Sequence, residues 1–165
     1  FGLNLGVDYK GFDFSVFFQG AAGMQVVQAF LRSDFTDVNT LNSRLNRWTG
    51  PGTTNDARNP RVAFEDNNQN NRFSDRFVYD ADFLRVRNIQ LGYTLPKNIV
   101  EKIKLERLRV YGSIQNLYTW TSYTDGFDPE IGNRVSFEDN PLDQGVDLGF
   151  YPQAVTYTFG LNVDF

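Results

Sequence analysis

From Val155 to Phe165 every odd position is apolar (Val155, Tyr157, Phe159, Leu161, Val163, Phe165), and the even positions Thr156, Thr158, Gly160, Asn162 and Asp164 are small or polar. A strict period of two is that of a β-strand with one oily face and one wet face. The alternation runs to an aromatic final residue. A soluble sheet gains little by burying a side chain beside a terminal carboxylate. A strand crossing an outer membrane sets the aromatic at the bilayer interface and leaves the carboxylate in water.

The same alternation recurs upstream. Phe1, Leu3, Leu5, Val7 and Tyr9 are apolar, with Gly2, Asn4, Gly6 and Asp8 between them. Lys10-Gly11 then reads as a two-residue hairpin turn, with Gly where positive φ is needed. Phe12, Phe14, Val16 and Phe18 continue on one face, opposite Asp13, Ser15 and Gln19; Phe17 breaks the polar side. A third strand covers 83–95 with Ile89, Leu91, Tyr93 and Leu95 in phase, but Leu84 and Val86 fall in the opposite phase, which predicts a bulge near Asn88. Pro96 ends it, and 97–104 has room for one helical turn with Ile99 and Ile103 on one side. A fourth strand covers about 105–120. Leu108, Val110, Ile114, Tyr118 and Trp120 share one face, and Arg107, Arg109, Tyr111, Ser113, Gln115 and Thr119 the other. Asn116 is in phase with the apolar set and is expected to mark a local turn or the rim.

The expected strands are therefore about 1–9, 12–20, 83–95, 105–120 and 153–165. Two long polar segments, about 24–82 and 121–150, separate them, the first with a short helix anticipated within 26–45. Long loops of this kind count against a compact soluble domain and suit the extracellular side of a barrel. With the C-terminus in the periplasm, both short connections are periplasmic and both long ones extracellular, the asymmetry such barrels show.

Composition agrees. Sixteen Phe, eight Tyr and two Trp make the chain unusually aromatic, yet mean hydropathy is −0.43 and no stretch approaches the roughly 18 apolar residues of a spanning helix. A soluble β-sandwich shares part of this signature and remains an alternative on composition alone. The absence of Cys and His excludes disulfides, thiolate nucleophiles, Ser-His-Asp triads and histidine metal sites within these residues. A net charge of −4 offers no general attraction for nucleic acid. The chain starts inside a strand and is read as the C-terminal piece of a longer protein. Five strands do not close a barrel, for which about eight are needed.

Four ordered motifs, FLRVRNIQLGYTLP (83–96), LRVYGSIQNLYTWTSY (108–123), GFDPEIG (126–132) and YPQAVTYTFGLNVDF (151–165), resemble the C-terminal part of the SusC/RagA family of TonB-dependent outer-membrane transporters of Bacteroidetes-type bacteria. The resemblance implies an all-β transmembrane barrel of about 22 strands, of which this segment supplies five. It implies a plug domain upstream, import of oligosaccharides or peptides powered by TonB, and a SusD-like surface lipoprotein as partner. The outer membrane of a Gram-negative bacterium is the implied location, and no enzyme activity or cofactor is expected. A non-transporting barrel subunit of a surface or secretion assembly is the alternative within that resemblance.

On this reading Tyr157, Phe159, Leu161, Val163 and Phe165 form the signal read by the barrel-assembly machinery, and also a lipid-facing stripe. Arg85, Arg87, Arg107, Arg109 and Gln115 line the lumen or touch the plug. Trp48, Tyr123 and Phe127 are candidates for contact with substrate or the lipoprotein lid, whereas Tyr118 and Trp120 suit the interfacial girdle. Asp125, Asp128 and Glu130, and separately Asp66, Asn68 and Asn70, invite calcium. The second set lacks Gly at Asn71 and has Phe77 where an EF-hand places its Glu, and a solvated acidic loop is the simpler reading of both. Acid pairs such as Asp139 and Asp143 have no apolar pocket to raise a carboxyl pKa, so no catalytic constellation emerges.

Overall fold

The computed structural model describes residues 1–30, 41–54, 59–61, 67–70, 72–131 and 145–165. They fall into two units, 1–23 with 82–122 and 152–165, and 24–81 with 123–151.

The first unit is a five-stranded antiparallel sheet. It contains β1 (Gly2–Tyr9), β2 (Phe12–Ala21), β5 (Phe83–Thr94), β6 (Arg107–Thr121) and β8 (Thr156–Asp164), adjacent in that order. The β1–β2 hairpin closes on Lys10 and Gly11 at φ 48° and 87°. Two successive positive φ values make a type I′ turn, whose twist matches that of the strands. Register then runs from Tyr9↔Phe12 to Gly2↔Gln19 without a break. Beyond Leu95 a short helix α1 (Lys97–Val100) continues as one 3-10 turn, Glu101–Ile103. Lys104 ends it in the left-handed region, φ 58°, and the Leu105 N–H closes back on the Val100 carbonyl at 3.1 Å. Val100 is the residue this turn buries, while Ile99 and Ile103 are exposed.

Because paired residues share a face, register fixes the two sides of the sheet. Leu5, Val16, Ile89, Ile114 and Tyr157 lie in one continuous line across all five strands. The outward positions in register with them are apolar or glycine. The opposite face carries Asp8, Asp13, Gln19, Arg85, Gln90, Arg109 and Asn162. Tyr157, Phe159 and Leu161 are 63 %, 84 % and 67 % exposed. The soluble sandwich anticipated as an alternative buries this stripe under a second sheet, and these exposures contradict it.

The expected bulge lies at Arg87. Between Val16 and Phe18 on β2 there is one residue; on β5, two separate Val86 from Ile89; on β6, three separate Ile114 from Tyr118. Each strand adds one residue. The apolar phase therefore flips on β5 and is restored on β6, which is why Leu84 and Val86 disagree with Ile89 while Ile114 agrees with Tyr118. Asn116 absorbs the extra residue at φ 54°, a conformation Asn tolerates better than most.

The second unit brings the two long connections together. Its three-stranded sheet joins both long connections. In it β3 (Gln25–Gln28) pairs antiparallel with β4 (Val78–Asp80) and parallel with β7 (Val146–Asp147). Val26, Ala81 and Tyr123 form its buried cluster, with Met24, Tyr79 and Ile131 packed against it. Of the range 26–45 in which a short helix was anticipated, Val26 and Val27 are β-branched and lie in β3, Asn42–Leu45 is a single 3-10 turn, and residues 31–40 lie outside the described set.

Candidate functional site

The polar face of the five-stranded sheet is organised by arginines that reach along and across strands. Arg109 on β6 passes over β5 to make a two-pronged pair with Asp13 on β2, its Nε donating to Asp13 Oδ1 at 2.8 Å and Nη2 to Oδ2. This reach is possible because Gly92 stands between them. A Cβ there would lie 2.5 Å from both Arg109 Nη2 and Asp13 Oδ1. Arg85 is buried and donates from Nε to Thr119 Oγ1 at 2.7 Å. Arg87, at the bulge, donates from Nη1 to Asn116 Oδ1 at 3.1 Å. Arg107 and Gln115 are exposed. At the hairpin end of this face Asp8, Lys10, Asp13, Thr94, Arg107 and Arg109 line an open depression of about 510 Å³. The arginines were legible from their phase. Asp13 was not, because its partner lies two strands away and 96 residues along the chain; the only cue was an acid in the polar phase of β2.

The second unit holds a buried polar clasp. β7 sets Asp147 directly beside Gln28 of β3. Asp147 is 1 % exposed. Its Oδ2 accepts the Tyr123 hydroxyl at 2.8 Å, and its Oδ1 accepts the Gly149 N–H at 2.8 Å and the Phe150 N–H at 3.3 Å. Gln28, 3 % exposed, donates from Nε2 to the Asp125 carbonyl at 2.7 Å. Burial, and then the hydrogen bond to Asp147, push the Tyr123 hydroxyl pKa far above that of a free phenol.

The residues expected to meet substrate or a lid separate here. Tyr123 is 2 % exposed; its ring meets Tyr79 edge-on at 5.5 Å. It has no free face for a ligand, so that expectation is corrected: an amphipathic ring with a buried carboxylate partner belongs in a core. Phe127 is 49 % exposed and rests on Phe30 at 5.1 Å. Trp48 is half-buried beside the bridge between Arg47 and Asn59. Among the described residues no group of three or more acids is placed to hold a metal ion. Instead Asp128 turns onto its own backbone, its Oδ1 accepting the Glu130 N–H at 2.9 Å, and Asp125 engages through its carbonyl. Asp66, Asp139 and Asp143 lie outside the described residues.

The apolar stripe expected to serve as an assembly signal runs along β8, whose outer edge has no strand beside it among the described residues. Val163 is partly covered, and Phe165 is 89 % exposed.

No family model matches the chain. Among curated proteins, TonB-dependent receptor P3 of Formosa agariphila is 34 % identical over 166 residues, covering 99 % of this chain and 16 % of that protein. TonB-dependent receptor SusC of Bacteroides thetaiotaomicron is 32 % identical over 166 residues, covering 99 % of this chain and 15 % of that protein. Among solved structures, the RagAB peptide importer in the open-open state matches with a TM-score of 0.71 and 25 % identity, over 99 % of this chain and 17 % of that one. The chain thus spans about one sixth of the length of these relatives. Likeness along almost every residue joins here with an antiparallel sheet that is oily on one side and arginine-lined on the other, and the chain belongs to the SusC-like TonB-dependent receptors, as a segment of their outer-membrane β-barrel.

Proposed function

We propose that these residues form part of the barrel wall of an outer-membrane importer that takes up oligosaccharides or peptides, is energised through TonB by parts of the protein outside this chain, and works with a SusD-like surface lipoprotein. The observation that carries this reading is the uncharged face of the sheet, with Leu3 and Leu5 on β1, Leu91 on β5, Val110 on β6 and Phe159 on β8 exposed on it. Water gives no reason to display such a surface, whereas acyl chains solvate it. In this arrangement the Lys10–Gly11 turn and the 95–106 connection face the periplasm and the two long connections face outward. Arg87, Arg107, Arg109 and Gln115 then look into the lumen or at the plug, and Trp48 and Phe127 are the aromatic side chains for substrate or lipoprotein to meet. The β8 stripe from Tyr157 to Phe165 is offered to the barrel-assembly machinery by strand addition.

The test uses the full-length protein in its own bacterium. Removing it is expected to abolish uptake of one oligosaccharide or peptide class, and a variant unable to engage TonB is expected to fail in the same way while still reaching the outer membrane. Unchanged uptake of every such nutrient, with the protein present in the outer membrane of the parent strain, would overturn the transport reading.

A further inference from the structure

Within the five-stranded sheet the ladder changes at one level. From Arg109↔Asn162 to Gln115↔Thr156, β6 is flanked by β5 on one side and β8 on the other. Above the bulge, β6 continues to Thr121 paired with β5 from Tyr118↔Val86 onward, but β8 goes no further. At that level Asn116 adopts its left-handed conformation, and its side-chain amide, in place of a strand bond, donates to the Ala154 carbonyl at 3.0 Å. Pro152, two residues further on, has no N–H to offer a ladder.

We infer that the outward limit of the lipid hydrocarbon layer runs at this stacked bulge, so that acyl chains cover β8 and β6 up to Gln115, while Leu117–Thr121 and residues 152–155 stand among headgroups and water. The inference rests on the membrane reading above and adds a level to it. An open strand edge is not tolerated in hydrocarbon, where nothing satisfies its backbone. The nine residues of β8 are close to the about nine to eleven that a tilted strand needs to cross. On β6 the outward side chains also change character there. Val110 and Ile114, with Tyr157, Phe159, Leu161 and Val163 beside them on β8, lie below. Tyr118 and Trp120 lie just above, edge-to-face at 4.8 Å and half exposed; each pairs an apolar ring with a polar atom, as the interface favours.

The test places a single nitroxide at position 120, 154 or 159 of the full-length protein in lipid bilayers, each variant first shown to be folded by its heat-modifiable mobility. Collision with oxygen, which partitions into lipid, is compared with collision with a water-soluble nickel chelate. Oxygen is expected to dominate at 159, the chelate at 154, and neither at 120. Exclusion of the chelate from 154 and 120 with oxygen access at both would overturn the boundary and leave the membrane reading standing. Free chelate access at 159 would overturn both.

Discussion

Tyr123 shows how much one side chain organises. Its hydroxyl is a donor to Asp147, a carboxylate 1 % exposed. Tyr123→Phe removes that donor and leaves Oδ2 short of a partner, at a cost of about 1–3 kcal/mol; faster amide exchange at Val27 and Gly149 in the full-length protein checks it. The same group sets an alkaline limit. Its folded pKa is raised above its unfolded value, so the unfolded chain gives up the proton first. Stability from this source is intact below about pH 10 and falls as pH rises beyond it. Tyr123→Phe is expected to flatten that fall in an alkaline unfolding series. Gly92 is the second telling position. Gly92→Ala and Asp13→Ala are both expected to lower the thermal midpoint of the barrel, and the double variant to be no worse than the more damaging single one, because both act on one ion pair. Additive losses would show that Gly92 serves something else. The sequence marked Arg109 by its phase but was silent on Asp13 and Gly92, since phase names a face and not the neighbour found there after folding.

At the scale of elements, the hairpin and the bulge were legible and the second sheet was not. Lys10-Gly11 sits between two clean alternations, and the phase error between Val86 and Ile89 can only be repaired by an odd number of extra residues. β3, β4 and β7 have four, three and two residues. That is too short for a period of two to show, and the parallel β3–β7 pair joins residues more than a hundred positions apart. Asn116 is the element-scale test. Asn116→Gly keeps the left-handed backbone and loses the amide contacts to Arg87 and Ala154; Asn116→Val loses both. The valine variant is therefore expected to show the lower thermal midpoint in heat-modifiable gel mobility, since a β-branched residue pays about 1–2 kcal/mol at positive φ. Equal midpoints would mean that the bulge does not need this backbone conformation.

At the scale of the molecule, two-sidedness was written in the chain because a period of two survives wherever strands are long, and a sheet with one face in lipid demands it. Phe159→Arg, on the oily side, is expected to cost about 2–4 kcal/mol of barrel stability near the bilayer midplane, whereas Thr158→Arg, one residue away on the polar side, costs far less. Denaturant unfolding of the full-length protein in bilayers reads the difference; similar losses would mean the two faces are not solvated differently. The second unit has a different bearing on how such a protein changes over generations. Gln28 and Asp147 come from different connections yet close one interior, so neither connection is free to drift alone. A substitution that enlarges or re-aims one would have to be matched in the other, and the two are expected to be inherited and exchanged as a single cassette.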